Sequence, residues 1–412
     1  MALFTLGVEL LFFSVPSKSV RVLSFVSAAL LLVNTIVILA VERVRHEEVW
    51  VGVASVIWAT LISVWAVAAD RTVQWGKREE EERLTGRPET RRTLLEWIQV
   101  LLSSLVLGVI ALVVLLVTCN LTLRAFDTRL APPGGRYWVD EGKYQIHLYC
   151  AGNETDGKGR KVTTVLFEGG EDAVERGLWQ FADDAVKNGS ISRYCFADRP
   201  GMGWVGAFWL YLGEMGVRFA NVSKQSDNAP SPLSASVASD TLSETLSRAG
   251  EEGPWVLASA GIGSLYSRVF SSRHGNEVRG ILMIDPLHED LLYRVGASGR
   301  GFKIWLQGVM SPLGIDRLFG ALLRGRSSED RVWGRTAYQS ATTIFAKLQE
   351  SLVATSLTKR DVASSRTIQL KDTPLVLISS GVQMRRDSEW EAKVSILSST
   401  GQYYWTNTQE AT

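Results

Sequence analysis

Trp255-Val-Leu-Ala-Ser-Ala-Gly-Ile-Gly-Ser-Leu-Tyr-Ser-Arg268 is the stretch on which the reading of this chain turns. Its first four residues suit a buried strand, and from Ile262 onward the length and spacing are helical. Between the two stand the small residues Ser259, Ala260, Gly261 and Gly263, with Ile262 among them. A strand that turns straight into a helix needs small side chains two positions before and two after its apex, because the turn leaves no room for larger ones. Outward from this point, short β-rich runs recur at 144–150, 162–167, 193–197, 280–284 and 374–378, with 402–406 as a further candidate. Segments of helical length lie between them, among them 237–249 and 262–272. Strands alternating with helices predict an α/β domain, here over 138–412.

The first third has a different character. The 412 residues are 46% apolar and only 21% charged, too greasy for an ordinary soluble enzyme, and the excess lies before residue 130. Residues 22–41 contain 20 uncharged positions between Arg21 and Glu42, 49–69 contain 21, and 97–123 contain 27. At 1.5 Å per residue, 20 helical residues cover ~30 Å, the thickness of the hydrocarbon layer. Three membrane spans are therefore expected within 1–130. The opening apolar stretch, 2–16, is short and carries Glu9, so it reads as interfacial or as the remnant of a longer element. It lacks the basic start and small-residue cleavage site of a signal peptide. Ala131-Pro-Pro-Gly-Gly135 is a breaker cluster, and 131–137 is expected to be a linker.

Orientation follows from Lys and Arg near the span ends. Lys18 and Arg21 together with the 71–92 loop supply nine on one side, against five on the other from Arg43, Arg45, Arg124, Arg129 and Arg136. The positive-inside rule then places everything after the third span on the non-cytosolic side. The acidic run Glu79–Glu82 reads as a solvated helical face and does not alter this. In the secretory lumen or at the cell exterior, the sequons Asn153-Glu-Thr and Asn188-Gly-Ser would permit glycans. A mitochondrial membrane is the alternative location.

Several function classes lack support. A net charge of +1 offers no basic field for nucleic acid. Cys119, Cys150 and Cys195 form no C-x-x-C pair and allow one disulfide at most. No H-E-x-x-H, P-loop or dinucleotide fingerprint is present, so neither a metal nor an organic cofactor is expected. The lipid bilayer is the expected partner of the first third.

From about Trp138 onward the chain resembles the α/β-hydrolase family. The motifs come in that family's order: Phe167-Glu-Gly-Gly170 where it has its His-Gly oxyanion loop, Asp198-Arg-Pro-Gly-Met-Gly-Trp204 as its post-strand turn, the 255–268 stretch as its strand, nucleophile elbow and helix, and Ile284-Asp-Pro-Leu-His-Glu-Asp290 after its sixth strand. With the spans in front, the whole is similar to a group of fungal integral membrane proteins whose N-terminal region of unknown function precedes such a domain. In the family the post-strand turn runs on as Gly-Trp-Ser-Asp, so 205–225 looks inserted. It would be a genuine loop, a membrane-contacting lid, or an intron translated in frame, and in the last case the sequon at Asn221 is an artefact. The resemblance also implies that the strands carrying Cys150 and Cys195 lie side by side, either bridged or as two buried thiols.

Two registers of the elbow stand open. One puts Ser259 and Gly263 at the small positions and Gly261 at the nucleophile itself, where no oxygen can attack. The other makes Ser259 the nucleophile but places Leu257 at a small position and shifts the helix. Asp285 suits the orienting acid, with a turn or cap role as its alternative, and Asp387 is a weaker candidate. The family's general base follows the last strand, yet no histidine follows His288, which makes the C-terminus look truncated. His46, His147, His274 and His288 read as structural. The oxyanion donors would be the backbone N–H groups of Gly170 and Ile262. The expected protein is a membrane-anchored pseudo-hydrolase acting as a binding or scaffold domain. A serine hydrolase of small or lipidic acyl esters is the alternative, and an imperfect gene sequence of an active enzyme is a third.

Overall fold

The computed structural model describes residues 2–12, 17–87, 93–203, 231–332, 340–366, 373–380, 387–398 and 402–406. The segment expected to be inserted, 205–225, lies outside them, as do Trp204, Asn221 and the residues after Thr406. The chain divides into two units, one formed by 1–129 with 312–325 and the other by most of the remainder.

The first unit is helical: α1 (Ala2–Phe12), α2 (Lys18–Ala40), α3 (Glu42–Thr85) and α4 (Leu94–Asp127). Three of these, α2, α3 and α4, are long and apolar enough to cross a membrane. The stretch expected to be interfacial is α1, whose Val8 is buried among the longer helices. Only Val41 separates α2 from α3. The Ser17 hydroxyl caps α2 by accepting from Val20 N–H, and Thr93 with Glu96 forms a capping box on α4. With 44 residues, α3 is ~66 Å long, more than twice the hydrocarbon thickness. Its second half carries the charged run through Arg83, with Glu79, Glu80 and Glu82 exposed. Apolar burial does not drive association inside lipid, so helices there approach through small and polar side chains. Ser24, Ser27 and Asn34 of α2 and Ser103 of α4 are buried accordingly, and the Thr35 and Thr60 hydroxyls meet at 2.8 Å across α2 and α3. Phe25, Ile36, Trp58, Leu61, Leu101 and Leu105 point outward.

The second unit begins with β1 (Gly135–Val139), a strand that takes up part of the expected linker. There follow β2 (Tyr144–Gly152), β3 (Thr164–Glu168), α5 (Trp179–Lys187), β4 (Arg193–Ala197), α6 (Ala235–Ala249), β5 (Trp255–Ala260), α7 (Gly263–Arg273) and β6 (Val278–Ile284). A long excursion holds α8 (Leu292–Val295), α9 (Ser298–Met310), α10 (Ile315–Leu323), α11 (Ser328–Val332), α12 (Ala341–Val353) and α13 (Lys359–Ser365). Then come β7 (Leu375–Ser380), α14 (Ser388–Ser398) and β8 (Gln402–Thr406). Of these elements, α10 belongs with the first unit.

The sheet order is β1-β2-β4-β3-β5-β6-β7-β8, with β2 antiparallel to both neighbours and the pairs from β4 to β8 parallel. This is the α/β-hydrolase sheet. Successive side chains on a strand point to opposite faces, so each central strand feeds two cores. Leu166, Leu257, Ile281 and Leu377 pack on one face with Leu246 of α6 and Phe270 of α7. Phe167, Ala258, Tyr194 and Phe196 pack on the other with Ala182 of α5. Cys150 and Cys195 are partners in the β2–β4 register and form a disulfide.

Candidate functional site

In a parallel sheet, ligand sites form beyond the C-terminal ends of the strands. Here those ends bring together Glu168-Gly-Gly-Glu171 after β3, Asp198-Arg199 after β4, Gly261-Ile262 after β5 and Asp285 after β6. Gly261 has φ +50°, the left-handed conformation that L side chains rarely adopt. Its N–H donates to the Ile284 carbonyl at 3.1 Å and its carbonyl accepts from Leu287 N–H at 3.0 Å, which ties the apex to the turn after β6. A Cβ built on Gly261 would lie 3.6 Å from the Gly170 Cα, so the loop after β3 sits directly over the turn. Gly263 is closer still to that loop: its Cβ would fall 2.2 Å from the Gly169 carbonyl oxygen.

The serines near the apex point elsewhere. Ser259 lies within β5 in register with Glu168 and Met283, has no exposed surface, and directs its Oγ at the Leu282 carbonyl, 3.4 Å away. Ser264 is equally buried and donates to the Gly261 carbonyl at 2.7 Å.

Asp285 also has a left-handed φ, +44°, and its Oδ1 accepts from Ser380 N–H at 2.6 Å, closing the end of β7. Trp390 of α14 holds the same turn by donating to the Pro286 carbonyl at 2.9 Å. Three histidines of this unit are engaged away from Asp285. His274 Nε2 meets Ser243 Oγ at 2.8 Å and its ring stacks on Phe270. His288 Nδ1 accepts from Asp290 N–H at 3.2 Å. His147 Nδ1 lies 3.0 Å from Asp198 Oδ2, and its Nε2 is bonded to the Pro133 carbonyl. His46 lies in α3. Asp387 pairs with Arg294 and caps α14 by accepting from Trp390 N–H at 3.1 Å.

His147, Glu175 and Asp198 bring donor atoms within 4.8 Å of one another, all buried. Both His147 nitrogens already have protein partners, and a carbonyl facing Nε2 requires a hydrogen there, so the ring offers no free lone pair on that side. Burial holds the Glu175 carboxyl well above the usual carboxylate range, with the Asp198 carboxylate adding to the shift. Such a cluster suits a shared proton better than a metal.

Sequence inspection did not single out the group packed beside the apex. The Arg199 guanidinium donates to the Gly169 carbonyl at 3.0 Å and is bonded to that of Gly170, fixing the loop over Gly261. Glu350 of α12 lies 3.2 Å from Arg199 Nε, Glu168 lies 3.8 Å from Arg199 Nη1, and the Tyr266 ring of α7 faces the guanidinium at 5.1 Å. All of these are buried. One cation between two carboxyls leaves an excess negative charge out of water unless a proton is retained. Desolvation accordingly pushes Glu168 up to about 7, against the opposing pull of Arg199, and raises Glu350 and Tyr266 as well. Arg199 was visible only as part of a turn motif, and nothing along the sequence connects Glu350, 151 positions further on, to that turn. A narrow cleft beside this group is lined by Ile262, Val295, Glu171, Arg300, Lys347 and Glu350. Its cations are paired, Arg300 with Glu171 at 2.9 Å and Lys347 with Asp172 at 2.5 Å.

Three helices able to cross a bilayer and a unit with the α/β-hydrolase fold define a membrane protein carrying a hydrolase-like domain. Residues 1–150 match the family described as a region of unknown function, DUF2417. An uncharacterized protein of Schizosaccharomyces pombe is 31% identical over 424 aligned residues, covering 95% of this chain and 74% of that protein, and the chain belongs to its family. An uncharacterized vacuolar membrane protein of Saccharomyces cerevisiae is 24% identical over 361 residues, 73% of this chain and 52% of the relative, so the chain spans about half of that relative's length. Among solved structures, an α/β-hydrolase enzyme from a deep-sea metagenome library is similar with a TM-score of 0.43 and 11% identity, over 66% of this chain and 88% of the other. A carboxylesterase structure from the thaumarchaeon Nitrososphaera has the same score and identity, over 66% and 89%. Likeness at this level says nothing of activity.

Proposed function

We propose that the α/β-hydrolase-fold unit is a binding domain without serine-hydrolase turnover, anchored by its three spans. The observation that carries this is the apex of the turn between β5 and α7. The residue with the left-handed φ is Gly261, and a glycine supplies no attacking oxygen. Ser259, the rival nucleophile, is buried in the strand with its hydroxyl on a carbonyl. Asp285, the expected orienting acid, closes a strand end, and no described histidine hydrogen-bonds it. A triad lacking its nucleophile and base loses several orders of magnitude in rate, whereas backbone donors outlast side-chain loss. Gly170 and Ile262 would retain their N–H groups toward an ester or lipidic carbonyl held beside the cleft.

The same reading puts this unit on the non-cytosolic side. The excess of Lys and Arg on the opposite side supports it, and so does the Cys150–Cys195 disulfide, which persists in oxidising compartments. The Saccharomyces cerevisiae relative is described as a vacuolar membrane protein, and the membrane of that organelle belongs to the secretory system.

Fluorophosphonate labelling of the full-length protein in detergent tests the absence of turnover. No stoichiometric adduct is expected. An adduct at Ser259 or Ser264 that disappears on substitution by Ala would establish the alternative, an esterase-like or lipase-like enzyme.

A further inference from the structure

Helix α10 comes from the excursion between β6 and β7 but packs within the membrane unit. Asn120 of α4 donates to the Pro312 carbonyl at 3.0 Å, and Arg317 donates back to Asn120 Oδ1 at 3.3 Å. Gly314, with φ +58°, allows the approach, since a Cβ there would fall 2.4 Å from the Asn120 carboxamide. Asn120 is seven residues from the end of α4 at Asp127, or ~10 Å along the helix axis, and the uncharged stretch of that span stops at Leu123. The contact therefore fixes α10 at the level where hydrocarbon gives way to headgroups.

At that level α10 presents an unusual surface. Leu318 and Gly320 are buried, whereas Ile315, Phe319, Leu322 and Leu323 are 39%, 57%, 79% and 73% exposed. Their spacing of four, three and one places them on one stripe of the helix. Arg324 follows at once and is exposed. An apolar stripe ending in arginine is the pattern of a helix lying in the bilayer interface, with the cation reaching the phosphates. We propose that α10 is an interfacial helix whose Ile315, Phe319, Leu322 and Leu323 side chains are immersed in the acyl boundary of the membrane that α4 spans. The occupant of this face is lipid because the partner that positions it, α4, is itself held in lipid. This depends on α4 crossing the bilayer and not on whether the hydrolase-fold unit is active.

The test uses the full chain with Cys119→Ala, which removes the free thiol, and one new cysteine at a time: Phe319→Cys, Leu322→Cys or, as a spare if either fails to fold, Leu323→Cys. Lys158→Cys, in an exposed polar turn, is the aqueous reference. Each protein is labelled with the NBD fluorophore and reconstituted into vesicles of phosphatidylcholine with brominated acyl chains. Labels on α10 are expected to be quenched by the bromines at least about twofold more than the label at 158, and to resist aqueous iodide. Quenching by iodide to the level seen at 158 would place the stripe in water. Protection from both quenchers would mean that protein covers it, a second copy of the chain included. Either result overturns the proposal.

Discussion

Substituting the two glycines that flank Ile262 separates the geometry of the apex from its chemistry. For Gly261→Ser the added Cβ meets only the Gly170 Cα at 3.6 Å, an ordinary contact, so the cost is that of a non-glycine residue at φ +50°. That is ~1–2 kcal/mol, partly offset by the ~0.4–1 kcal/mol gained when the unfolded chain loses glycine's freedom. A net loss near 1 kcal/mol corresponds to a drop in melting temperature of about 2–4 °C for a domain of this size. For Gly263→Ala the Cβ would lie 2.2 Å from the Gly169 carbonyl oxygen and 3.0 Å from Glu168 Cγ. Backbone cannot yield cheaply there, because Arg199 and the turn hold the same loop from both sides, and overpacking of this kind costs about 3 kcal/mol or more. Thermal unfolding of the full-length protein in detergent, followed by near-ultraviolet circular dichroism, measures both. Gly261→Ser is also expected to acquire no esterase turnover, since each described histidine of this unit is engaged elsewhere and a hydroxyl needs a base. A neutral Gly263→Ala, or a Gly261→Ser more damaging than it, would show that the apex of the turn does not lie at Gly261. Turnover in Gly261→Ser would show that a functional base is present.

The buried Arg199 group makes stability depend on pH. Glu168 has a folded-state pKa of about 7, raised above its unfolded value of 4.5, so the folded state holds the extra proton. Stability should therefore fall as pH rises from about 4.5 through 7, by up to ~3 kcal/mol, and denaturant midpoints across that window should flatten in Glu168→Gln. Arg199→Met strands two carboxyls out of water; a loss of about 3–5 kcal/mol at pH 8, smaller at pH 5.5, is expected from the same measurement. Opening the Cys150–Cys195 bridge, 45 residues apart, with Cys150→Ala plus Cys195→Ala should cost about 4 kcal/mol of unfolding free energy. Asn153 and Asn188 are exposed, so a lumenal domain should be shielded from protease in sealed microsomes and should shift in mass on glycosidase treatment. Digestion from the cytosolic side would reverse the topology.

Much of the fold was legible because it rests on local pattern. Uncharged length marks a span regardless of what surrounds it, and apolar runs of strand length came within about two residues of β2 to β8. The strand β1 was missed because Gly135-Arg-Tyr-Trp-Val139 has only its last residue buried and opens inside a breaker cluster. At the site, the small residues around the turn were readable but left Gly261 and Ser259 as rival apices, whereas nothing in the sequence joined Arg199, Glu168, Glu350 and Tyr266. Their meeting depends on α12 returning over the strand ends after a long excursion, and a buried charge looks like any other Arg or Glu until its neighbours are known. Asp285 follows β6 directly, but the local sequence carries no sign that its carboxylate accepts from Ser380 N–H, 95 positions away. The assignment of α10 to the membrane unit was equally hidden, since the bond from its Arg317 to Asn120 spans 197 positions.

The position of the disulfide in the chain bears on how the molecule is made. All of β1 to β4 lies between Gly135 and Ala197, so the antiparallel edge and the first parallel pair can form before β5 has been synthesised. Covalent closure of Cys150 on Cys195 at that stage would lock β2 beside β4 while more than half of the unit has still to emerge. Non-local parallel pairing is the slow step in folding such sheets, and a finished four-stranded edge gives β5 a fixed template at β3 on which to dock. Read this way, the bridge is a checkpoint in biogenesis: a reducing environment during synthesis would leave nascent chains without their template, and the yield of folded protein would fall more steeply than the stability of protein already made.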